Sequence, residues 1–325
     1  MPDIVSIGEA LIDFLAIDKE VVLEDTRGFT VAPGGAPANV AAAIAKLGGS
    51  SGFVGKVGND AFGRKIQSTL QSAGVNTDFL LLDEKVNTTL AFIAVKKNKE
   101  PDFMFFRNHC GADLALRQDE LDEGYIYECK ILHFGSISLT DEPLKSTILK
   151  TIEIARRANR IISYDPNLRP SLWDSMQHAK TEITSGLEYA DIVKLTDTEL
   201  EFITGTKSLS RGTDMILKSG PRIAMVTRGK DSCFFNDGNT AVELPVFEVE
   251  SVDTTGAGDA FNGGFLLGIL ERIRKDQSIC NMEKNEVSNL IRFANACGAI
   301  TVTRKGVIPA LPTLDEVNTF LRKRK

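Results

Sequence analysis

Cysteine is scarce in this sequence, and its distribution argues against a disulfide framework. The chain of 325 residues contains five cysteines. They are Cys110, Cys129, Cys233, Cys280 and Cys297. An odd number of widely spaced cysteines, with no C-x-x-C pair among them, is typical of buried or unreactive thiols in a reducing compartment. The sequence therefore predicts a cytoplasmic protein.

Long apolar runs and an excess of positive charge are also lacking. No segment approaches the uninterrupted apolar length that crosses a bilayer, and the N-terminus carries Asp3, Glu9 and Asp13 instead of a basic region. The 38 lysines and arginines are outnumbered by 44 aspartates and glutamates, which gives a net charge of −6 at pH 7. This sign is wrong for a chain that is held by phosphate backbones. We expect neither a membrane nor a nucleic acid as a partner.

The residues that are abundant indicate a globular α/β protein. Hydrophobic residues make up 42% of the chain and charged residues 25%, as in ordinary globular proteins. Short apolar runs, typical of strands buried on both faces, recur at residues 4–7, 52–57, 131–134, 161–164, 192–195 and 223–227. Helical patterns lie at 39–47, 61–73, 143–158 and 199–203. Such alternation predicts a mainly parallel sheet flanked by helices.

Two regions interrupt this alternation. Around residues 13–32 and 88–107, apolar and polar side chains alternate in segments such as TTLAFIAV and PDFMFFR. This pattern is typical of antiparallel strands with one face in water. We therefore predict one domain, residues 1–325, with a discontinuous β lid at approximately 12–33 and 87–110. An extra edge ribbon on the main sheet is the alternative.

The segment VDTTGAGDAFNGGF, residues 252–265, opens a long amphipathic helix. Gly256, Ala257 and Gly258 stand where the helix begins, so their amides would lack partners and form an anion site. Asp259 is either a helix-start acid that satisfies these amides or an acceptor for the proton of a reacting hydroxyl. The glycines permit close approach of a ligand and favour the second interpretation. At a helix start the carboxylate should stay ionised and be only weakly basic.

Two common phosphate-binding motifs are absent from the sequence. The Gly55-Lys56 pair has Ser50 where a P-loop requires its first glycine, and Val57 where it requires a hydroxyl. In GAGDAF, Phe261 occupies the last glycine position of G-x-G-x-x-G. These departures disfavour a P-loop nucleotide hydrolase and a dinucleotide-dependent oxidoreductase.

A second segment rich in small residues, PGGAPANVAAAIAKLGG, begins at Pro33. Gly34 and Gly35 precede a helix with Pro37 in its first turn, and they could form only a tight turn. Asn39, however, lies early on a helix face of small apolar residues. Its side-chain amide could offer a donor and an acceptor to the hydroxyl groups of a ligand.

Together, the two segments resemble the signatures of the PfkB carbohydrate kinase family, the ribokinase-like sugar kinases. PGGAPANVAAAIAKLGGSSGFVGKVGNDAFG and DTTGAGDAFNGGF stand in the family's order, and the resemblance covers essentially the whole chain. Within the family the chain is most similar to the fructokinases, through GEALIDF, FFRNHCGADLAL, DPNLRPSLW and DIVKLTDTELEF. The resemblance implies a ribokinase-like fold, with a Rossmann-like parallel sheet between helices and a small antiparallel β lid.

The resemblance also implies roles for individual residues. Asp259 matches the family's catalytic base, and the three residues before it, Gly256, Ala257 and Gly258, match its anion hole. The positions that match residues on the sugar side are Asp13, Gly34, Gly35, Asn39, Arg107 and Arg169. The positions that match residues on the nucleotide side are Lys194, Thr227, Gly229, Asn295 and Gly298. For each charged residue, a surface salt bridge is the alternative.

The implied cofactors are ATP with Mg²⁺ and, as in some relatives, K⁺. Glu199 matches the acid of the family's N-x-x-E motif, and we expect it to act on Mg²⁺ through water. Thr196 stands where many relatives have Asn, which puts direct help from that side chain in doubt. Asp253 and Thr255 match positions that frame a monovalent-cation site, with helix capping as the alternative.

The activity that the resemblance implies is transfer of the γ-phosphoryl group of ATP to a primary hydroxyl of a hexose, most similar to phosphorylation of fructose. A 2-keto-3-deoxygluconate kinase is the first alternative, although such relatives tend to carry tyrosines where this chain has Phe92, Phe105 and Phe106. A nucleoside kinase and a non-catalytic sugar sensor are further alternatives. The lid could also pair two copies of the chain as a homodimer.

Overall fold

The fold is described from a computed structural model of the chain. It describes residues 1–97, 101–107 and 111–324, apart from the side chain of Pro101. Cys110, Lys325 and parts of the predicted lid segment 87–110 lie outside the described residues.

Strands occur where the short apolar runs predict them. In chain order they are β1 (Ile4–Ile7), β2 (Leu11–Ala16), β3 (Phe29–Gly34), β4 (Ser51–Gly58), β5 (Asn76–Asp83), β6 (Leu90–Val95), β7 (Pro101–Phe106), β8 (Ile131–Gly135), β9 (Ile161–Asp165), β10 (Ile192–Thr196), β11 (Ile223–Thr227), β12 (Ser232–Asn236) and β13 (Ala241–Pro245). The large sheet has the order β13-β12-β11-β10-β9-β8-β1-β4-β5. Its strands pair in parallel from β11 to β5, and β12 and β13 add an antiparallel edge. The predicted mainly parallel sheet is confirmed.

Helices cover both faces of this sheet. In chain order they are α1 (Ala36–Lys46), α2 (Ala61–Ser72), α3 (Glu123–Glu128), α4 (Leu144–Arg157), α5 (Met176–Leu187), α6 (Asp197–Thr204), α7 (Leu209–Lys218), α8 (Ala257–Arg274), α9 (Lys284–Thr301) and α10 (Leu314–Arg322). Side-chain caps fix several helix starts; at α2, for example, Asp60 accepts hydrogen bonds from the amides of Phe62 and Gly63. Within the described part of the chain, no helix has the length and apolar character needed to span a membrane.

Four strands form a second, smaller sheet in the order β3-β2-β6-β7. The β3–β2 and β6–β7 pairs are antiparallel, and the two pairs are joined by parallel pairing of β2 with β6. This is the small separate sheet that the alternating segments predict. One of its faces carries Asp13, with Ala91 and Phe105 in register beside it. The opposite face carries Phe14 and Phe92, whose rings stack at 4.7 Å between centroids.

Helix α8 lies between α1 and α9, with its third face on the large sheet. A side chain at Gly263 would collide with Ala43 of α1, and one at Gly264 would collide with Cys297 of α9. Between these contacts, Phe265 is fully buried in the same cluster as Ile192 of β10. This packing brings the start of α8 to the carboxyl end of the large sheet, where open parallel sheets bind their ligands.

Candidate active site

The start of α8 forms a turn that presents main-chain amides. Gly256 caps the helix with a φ of 79°, and a side chain at this position would collide with Val307. Only glycine combines this left-handed conformation with so little space. The amide of Ala257 donates to the Thr254 carbonyl at 3.3 Å, and the following first-turn amides have no acceptor within the helix. The turn therefore has the geometry that an anion requires.

A buried lysine faces this turn. Lys194 extends from β10 and is 5% exposed, and a Cβ atom on Gly258 would lie 3.0 Å from its Nζ. Asp165, on the neighbouring strand β9, places Oδ2 2.8 Å from the same Nζ. Burial acts to lower the pKa of Lys194, but the carboxylates of Asp165 and Glu199 outweigh it and raise the pKa. A charged ammonium group thus stands beside the amides.

Asp259 lies in the first turn of α8 and is held by Asn39. Asn39 Nδ2 donates a hydrogen bond to Asp259 Oδ2 at 2.8 Å. Burial raises the pKa of Asp259 to about 6, against the opposing effects of Lys194 and of the Asn39 hydrogen bond. The prediction of a weakly basic carboxylate was wrong, because removal from water outweighs the positive charge nearby. Asp259 is ionised at neutral pH and more basic than an exposed aspartate.

Asp13 brings a second carboxyl group to the same place from strand β2 of the small sheet. Its side chain is buried, and its charge interacts with those of Arg169 and Asp259. Burial raises the pKa of Asp13 to about 7, although Arg169 opposes this effect. A side chain at Gly34 would collide with the Asp13 carboxylate, which explains the glycine. The small sheet and helix α8 therefore contribute one carboxyl group each to a single cleft.

The side-chain oxygen of Asn39 is available to accept a hydrogen bond from a ligand. Asn39 lies on the first turn of α1, which Gly35 caps with a φ of 104°. Asn39 is 4% exposed, and within the described residues its Oδ1 has no hydrogen-bond partner. A buried carbonyl oxygen of this kind can accept a hydrogen bond from a sugar hydroxyl. The sugar-side roles of Gly35 and Asn39 stay predictions.

The two predicted arginines have different surroundings. Arg107 is buried, and its Nε donates to Asp113 Oδ2 at 2.8 Å while Nη1 donates to Thr140 Oγ1 at 2.7 Å. Arg169 lies with its guanidinium carbon 5.2 Å from the centroid of the Phe103 ring on β7. The charge of Arg169 acts on both Asp13 and Asp259, the carboxyl groups of the cleft. Arg107 is engaged by its own surroundings, and its contact with a substrate stays a prediction.

The predicted nucleotide-side residues lie at the ends of strands and on α9. Thr227 ends β11, and Gly229 follows it with a φ of 52° in the turn toward β12. Asn295 Nδ2 donates to the carbonyl of the last residue of β13 at 3.4 Å. A Cβ atom on Gly298 would lie 3.1 Å from a carbonyl oxygen at the start of α8. Gly298 thus packs against the anion-binding turn, and the nucleotide contacts of all four residues stay predictions.

Glu199 holds two backbone segments together. Its Oε1 accepts the Leu168 amide at 2.8 Å and its Oε2 accepts the Thr196 amide at 2.7 Å. In return, Thr196 Oγ1 accepts the Glu199 amide at 3.2 Å, which completes a capping box at the start of α6. Thr196 therefore caps a helix where many relatives have Asn. Each carboxylate oxygen of Glu199 keeps a further lone pair for water.

Asp253 and Thr255 form a capped turn before α8. Asp253 Oδ1 accepts the Thr255 amide at 3.0 Å and the Thr255 hydroxyl at 2.7 Å, and its Oδ2 accepts the Gly306 amide at 3.2 Å. This arrangement agrees with the capping alternative, and a monovalent cation at this turn stays a prediction. In the part of the chain that the structure describes, no three His, Cys, Asp or Glu residues form a group that could hold a metal.

Sequence reasoning assigned no role to two buried carboxyl groups. Asp165 pairs with Lys194 as described, and Glu9, between β1 and β2, accepts a hydrogen bond from Ser138 Oγ at 3.0 Å. Burial raises the pKa of Glu9 to about 7. Asp165 directly follows an apolar strand run, and Glu9 is separated from one by a single residue. A charged residue at the end of a buried strand is the sequence signal that could have identified both.

Comparison with known proteins gives a consistent result. Residues 1–314 match the family model described as pfkB family carbohydrate kinase. A probable fructokinase-3 from Arabidopsis thaliana is 45% identical over 99% of this chain and 92% of its own length. Fructokinase-1 from Zea mays is 45% identical over 98% of each chain. The structure of a fructokinase from Xylella fastidiosa with bound ATP superposes with a TM-score of 0.90, at 32% identity over 100% of this chain and 99% of that one. A fructokinase from Vibrio cholerae O395 in fructose, ADP and calcium ion bound form gives a TM-score of 0.85, at 31% identity over 98% and 99%.

Proposed function

The chain belongs to the pfkB family of carbohydrate kinases, and from this premise we propose that it phosphorylates fructose with ATP to give fructose 6-phosphate. Full-length similarity to fructokinases at 45% identity supports the choice of sugar. One observation carries the choice of reaction. Asp259, held by Asn39 at 2.8 Å, lies between the anion-binding turn with Lys194 and the sugar-side carboxyl of Asp13.

In the proposed mechanism, Asp259 accepts the proton of the primary hydroxyl as that oxygen attacks the γ-phosphorus. The bond from the γ-phosphorus to the bridging oxygen breaks in the same step, and ADP leaves with that electron pair. A pKa of about 6 suits this step, because the carboxylate is ionised at neutral pH and is still a useful base. The amides of Gly256 and Gly258 and the Lys194 ammonium stabilise the negative charge on the transferred group, whereas the Ala257 amide is engaged by the Thr254 carbonyl. Asp13 and the free Oδ1 of Asn39 orient the sugar through its other hydroxyls.

The residues of this cleft fit a Mg²⁺ ion that binds together with ATP better than one that is coordinated directly by protein side chains. Glu199, the residue predicted to act on Mg²⁺, already accepts two backbone amides and has lone pairs left for water. Mg²⁺ usually keeps several waters and takes its remaining ligands from phosphates. We therefore propose that Glu199 acts on the ion through water, and that Mg²⁺ neutralises charge on the phosphates.

A monovalent cation is a further proposal. A fructokinase from Vibrio cholerae O395 has been solved in a potassium-bound form at 30% identity to this chain. The turn of Asp253 and Thr255 would frame such an ion with its carbonyl oxygens, since the Asp253 carboxylate is engaged. Replacing K⁺ by tetramethylammonium in the assay tests this: lower activity is expected, and unchanged activity would exclude it.

A substrate panel tests the proposed activity. Purified protein with ATP and Mg²⁺ is offered fructose, glucose, 2-keto-3-deoxygluconate, ribose and adenosine, and ADP formation is coupled to NADH oxidation. We expect the highest kcat/KM with fructose. A higher kcat/KM with the sugar acid or with adenosine would show that fructose is not the preferred substrate. In the case of the sugar acid, Arg169 would bind the carboxylate. No ADP formation with any sugar would indicate a sensor. The Asp259→Asn protein controls for contaminating kinases.

We also propose that the small sheet, at 12–33 and 87–110 of a single kinase domain, is both a lid and a homodimer surface. Its face away from Asp13 exposes Val31, Met104 and Phe106, by 42%, 46% and 53%. Exposed apolar side chains on one sheet face, here Val31 on edge strand β3 and Met104 and Phe106 on edge strand β7, are typical of a surface that pairs with another protein. Sedimentation equilibrium should give a dimer for the wild type and a monomer for Met104→Lys with Phe106→Glu; a monomeric wild type would refute the proposal.

The cytoplasmic location stays a proposal as well. Cys129, Cys233 and Cys297 are buried free thiols, as in a reducing compartment. Cell fractionation with an antibody against the chain would test it, and recovery in a membrane or secreted fraction would contradict it.

A further inference from the structure

A row of buried polar side chains crosses the large sheet beneath the start of α8. Three strands of this sheet, β1, β8 and β10, each carry an isoleucine that packs in the same cluster as α8, namely Ile4, Ile131 and Ile192. Two residues after each isoleucine, on the same face of the sheet, stands a polar residue. With its two members from β9, the row consists of Ser6, His133, Ser163, Asp165 and Lys194, all at most 5% exposed. Core packing alone does not explain such a row, because buried polar groups need partners.

Asn262 of α8 faces this row. The next residue, Gly263, packs on α1, and Gly264 packs on α9, so the side chain of Asn262 is directed at the sheet between them. Asn262 lies four residues, or about 6 Å along the helix, beyond Gly258, whose Cβ position is next to Lys194 Nζ. Asn262 is fully buried, and neither polar atom of its side chain has a partner among the described residues.

Asp165 also has a buried polar atom that needs a hydrogen-bond partner. Its Oδ2 binds Lys194 Nζ at 2.8 Å, and its Oδ1 is a buried acceptor without a partner in the described part of the chain. An amide N–H group is a donor for such an oxygen, either directly after a small rotation or through one water. Asn262 can therefore fix the carboxylate, which in turn fixes the ammonium group.

We propose that Asp165, supported by Asn262, is a positioning residue that holds the Lys194 ammonium against the anion-binding turn during phosphoryl transfer. The inference rests on the proposed kinase function. A lysine has a long flexible side chain, and without a fixed partner its ammonium would sample several positions. With Asp165 in place, the cation stands where charge develops and needs no rearrangement at the moment of reaction.

A double-mutant cycle tests this proposal through kcat with fructose. Asp165→Asn preserves the shape and removes the charge, and Lys194→Met removes the ammonium. We expect each single change to lower kcat about 10²-fold, with the KM for fructose changed less than about threefold. Because Asp165 acts through Lys194, the double variant should match Lys194→Met within about threefold.

The matched control is Glu120→Gln. It removes the carboxylate from another buried lysine, Lys56, whose Nζ lies 2.6 Å from Glu120 Oε1 outside the candidate active site. We expect a lower melting temperature and unchanged kcat for this variant. A general effect of breaking a buried pair would instead lower kcat in both proteins.

The outcomes separate this inference from the proposed function. Absence of fructose-dependent ADP formation by the wild type overturns the proposed function. Two results with an active wild type would overturn only the positioning role. In the first, Asp165→Asn folds and keeps the wild-type kcat. In the second, the losses of the two single variants multiply in the double variant. If Asp165→Asn does not fold, Asn262→Leu takes its place in the cycle. There we expect about a tenfold loss of kcat that disappears in the Lys194→Met background, and an unchanged kcat would refute the proposal.

Discussion

Replacing Asp259 by asparagine tests the central assignment, because the structure predicts opposite effects on activity and on stability. An asparagine side-chain oxygen can still accept the 2.8 Å hydrogen bond from Asn39, so the shape of the site is preserved. The base is lost, and we expect kcat with fructose to fall by about 10²-fold or more. The KM for fructose should change little, since the sugar is held chiefly by other groups.

Stability should move in the other direction. The pKa of Asp259 is raised from its ordinary value of 3.8 to about 6, so the folded state binds this proton more tightly than the unfolded chain. The free energy of unfolding therefore falls as the pH rises from about 4 through about 6. At pH 8 the ionised carboxylate costs the folded state up to about 3 kcal/mol, and the variant should melt up to about 5 °C higher than the wild type.

The measurements are steady-state kinetics at pH 7.5 and thermal melts at pH 8 and pH 4. Asp315→Asn is the control, since Asp315 is an exposed acid in the first turn of α10. It should change neither kcat nor the melting temperature appreciably. Retention of more than about a tenth of the wild-type kcat by Asp259→Asn would refute the base assignment. A lower melting temperature at pH 8 would refute the account of its pKa.

Three further predictions follow from the same cleft. Gly258→Ala places a methyl group 3.0 Å from Lys194 Nζ and should lower kcat about 10²-fold in the coupled assay; a smaller effect than twofold would place the transferred phosphate elsewhere. The value of kcat/KM should increase with pH on the acid side of its profile, with apparent pKa values between about 6 and 7, because Asp259 and Asp13 titrate there as a coupled pair. A kcat/KM that does not change from pH 5 to 8 would contradict this. Asp13→Asn should raise the KM for fructose at least about tenfold while calorimetry shows unchanged ADP affinity, and weakened ADP binding would argue against a sugar-side role.

Local sequence patterns were sufficient for the elements that carry the site. The apolar runs mark the strands because parallel strands are buried on both faces, and the glycines at 256 and 258 mark a helix start with exposed amides. Asn39 could be singled out because an amide on a helix face of small apolar residues is unusual. In each case a few adjacent residues determine the feature.

Properties that depend on distant parts of the chain were not predictable in this way. The basicity of Asp259 comes from its burial, which only the packed structure determines. The engagement of Arg107 depends partly on Thr140, which lies 33 residues further along the chain. The parallel pairing of β2 with β6 joins segments about 80 residues apart, and alternating polarity carries no information about direction.

The hydrogen bond between Asn39 and Asp259 spans 220 positions of the chain. During synthesis on the ribosome, all the strands that the structure describes in both sheets have been made by residue 245, before the proposed general base and the anion-binding turn. A nascent chain or truncated product that ends there would contain Asp13, Asn39 and Lys194 but could not deprotonate an alcohol. On the proposed mechanism, catalytic competence is acquired late, when the last quarter of the polypeptide docks α8 against α1, and prematurely terminated chains would be inert toward cellular ATP.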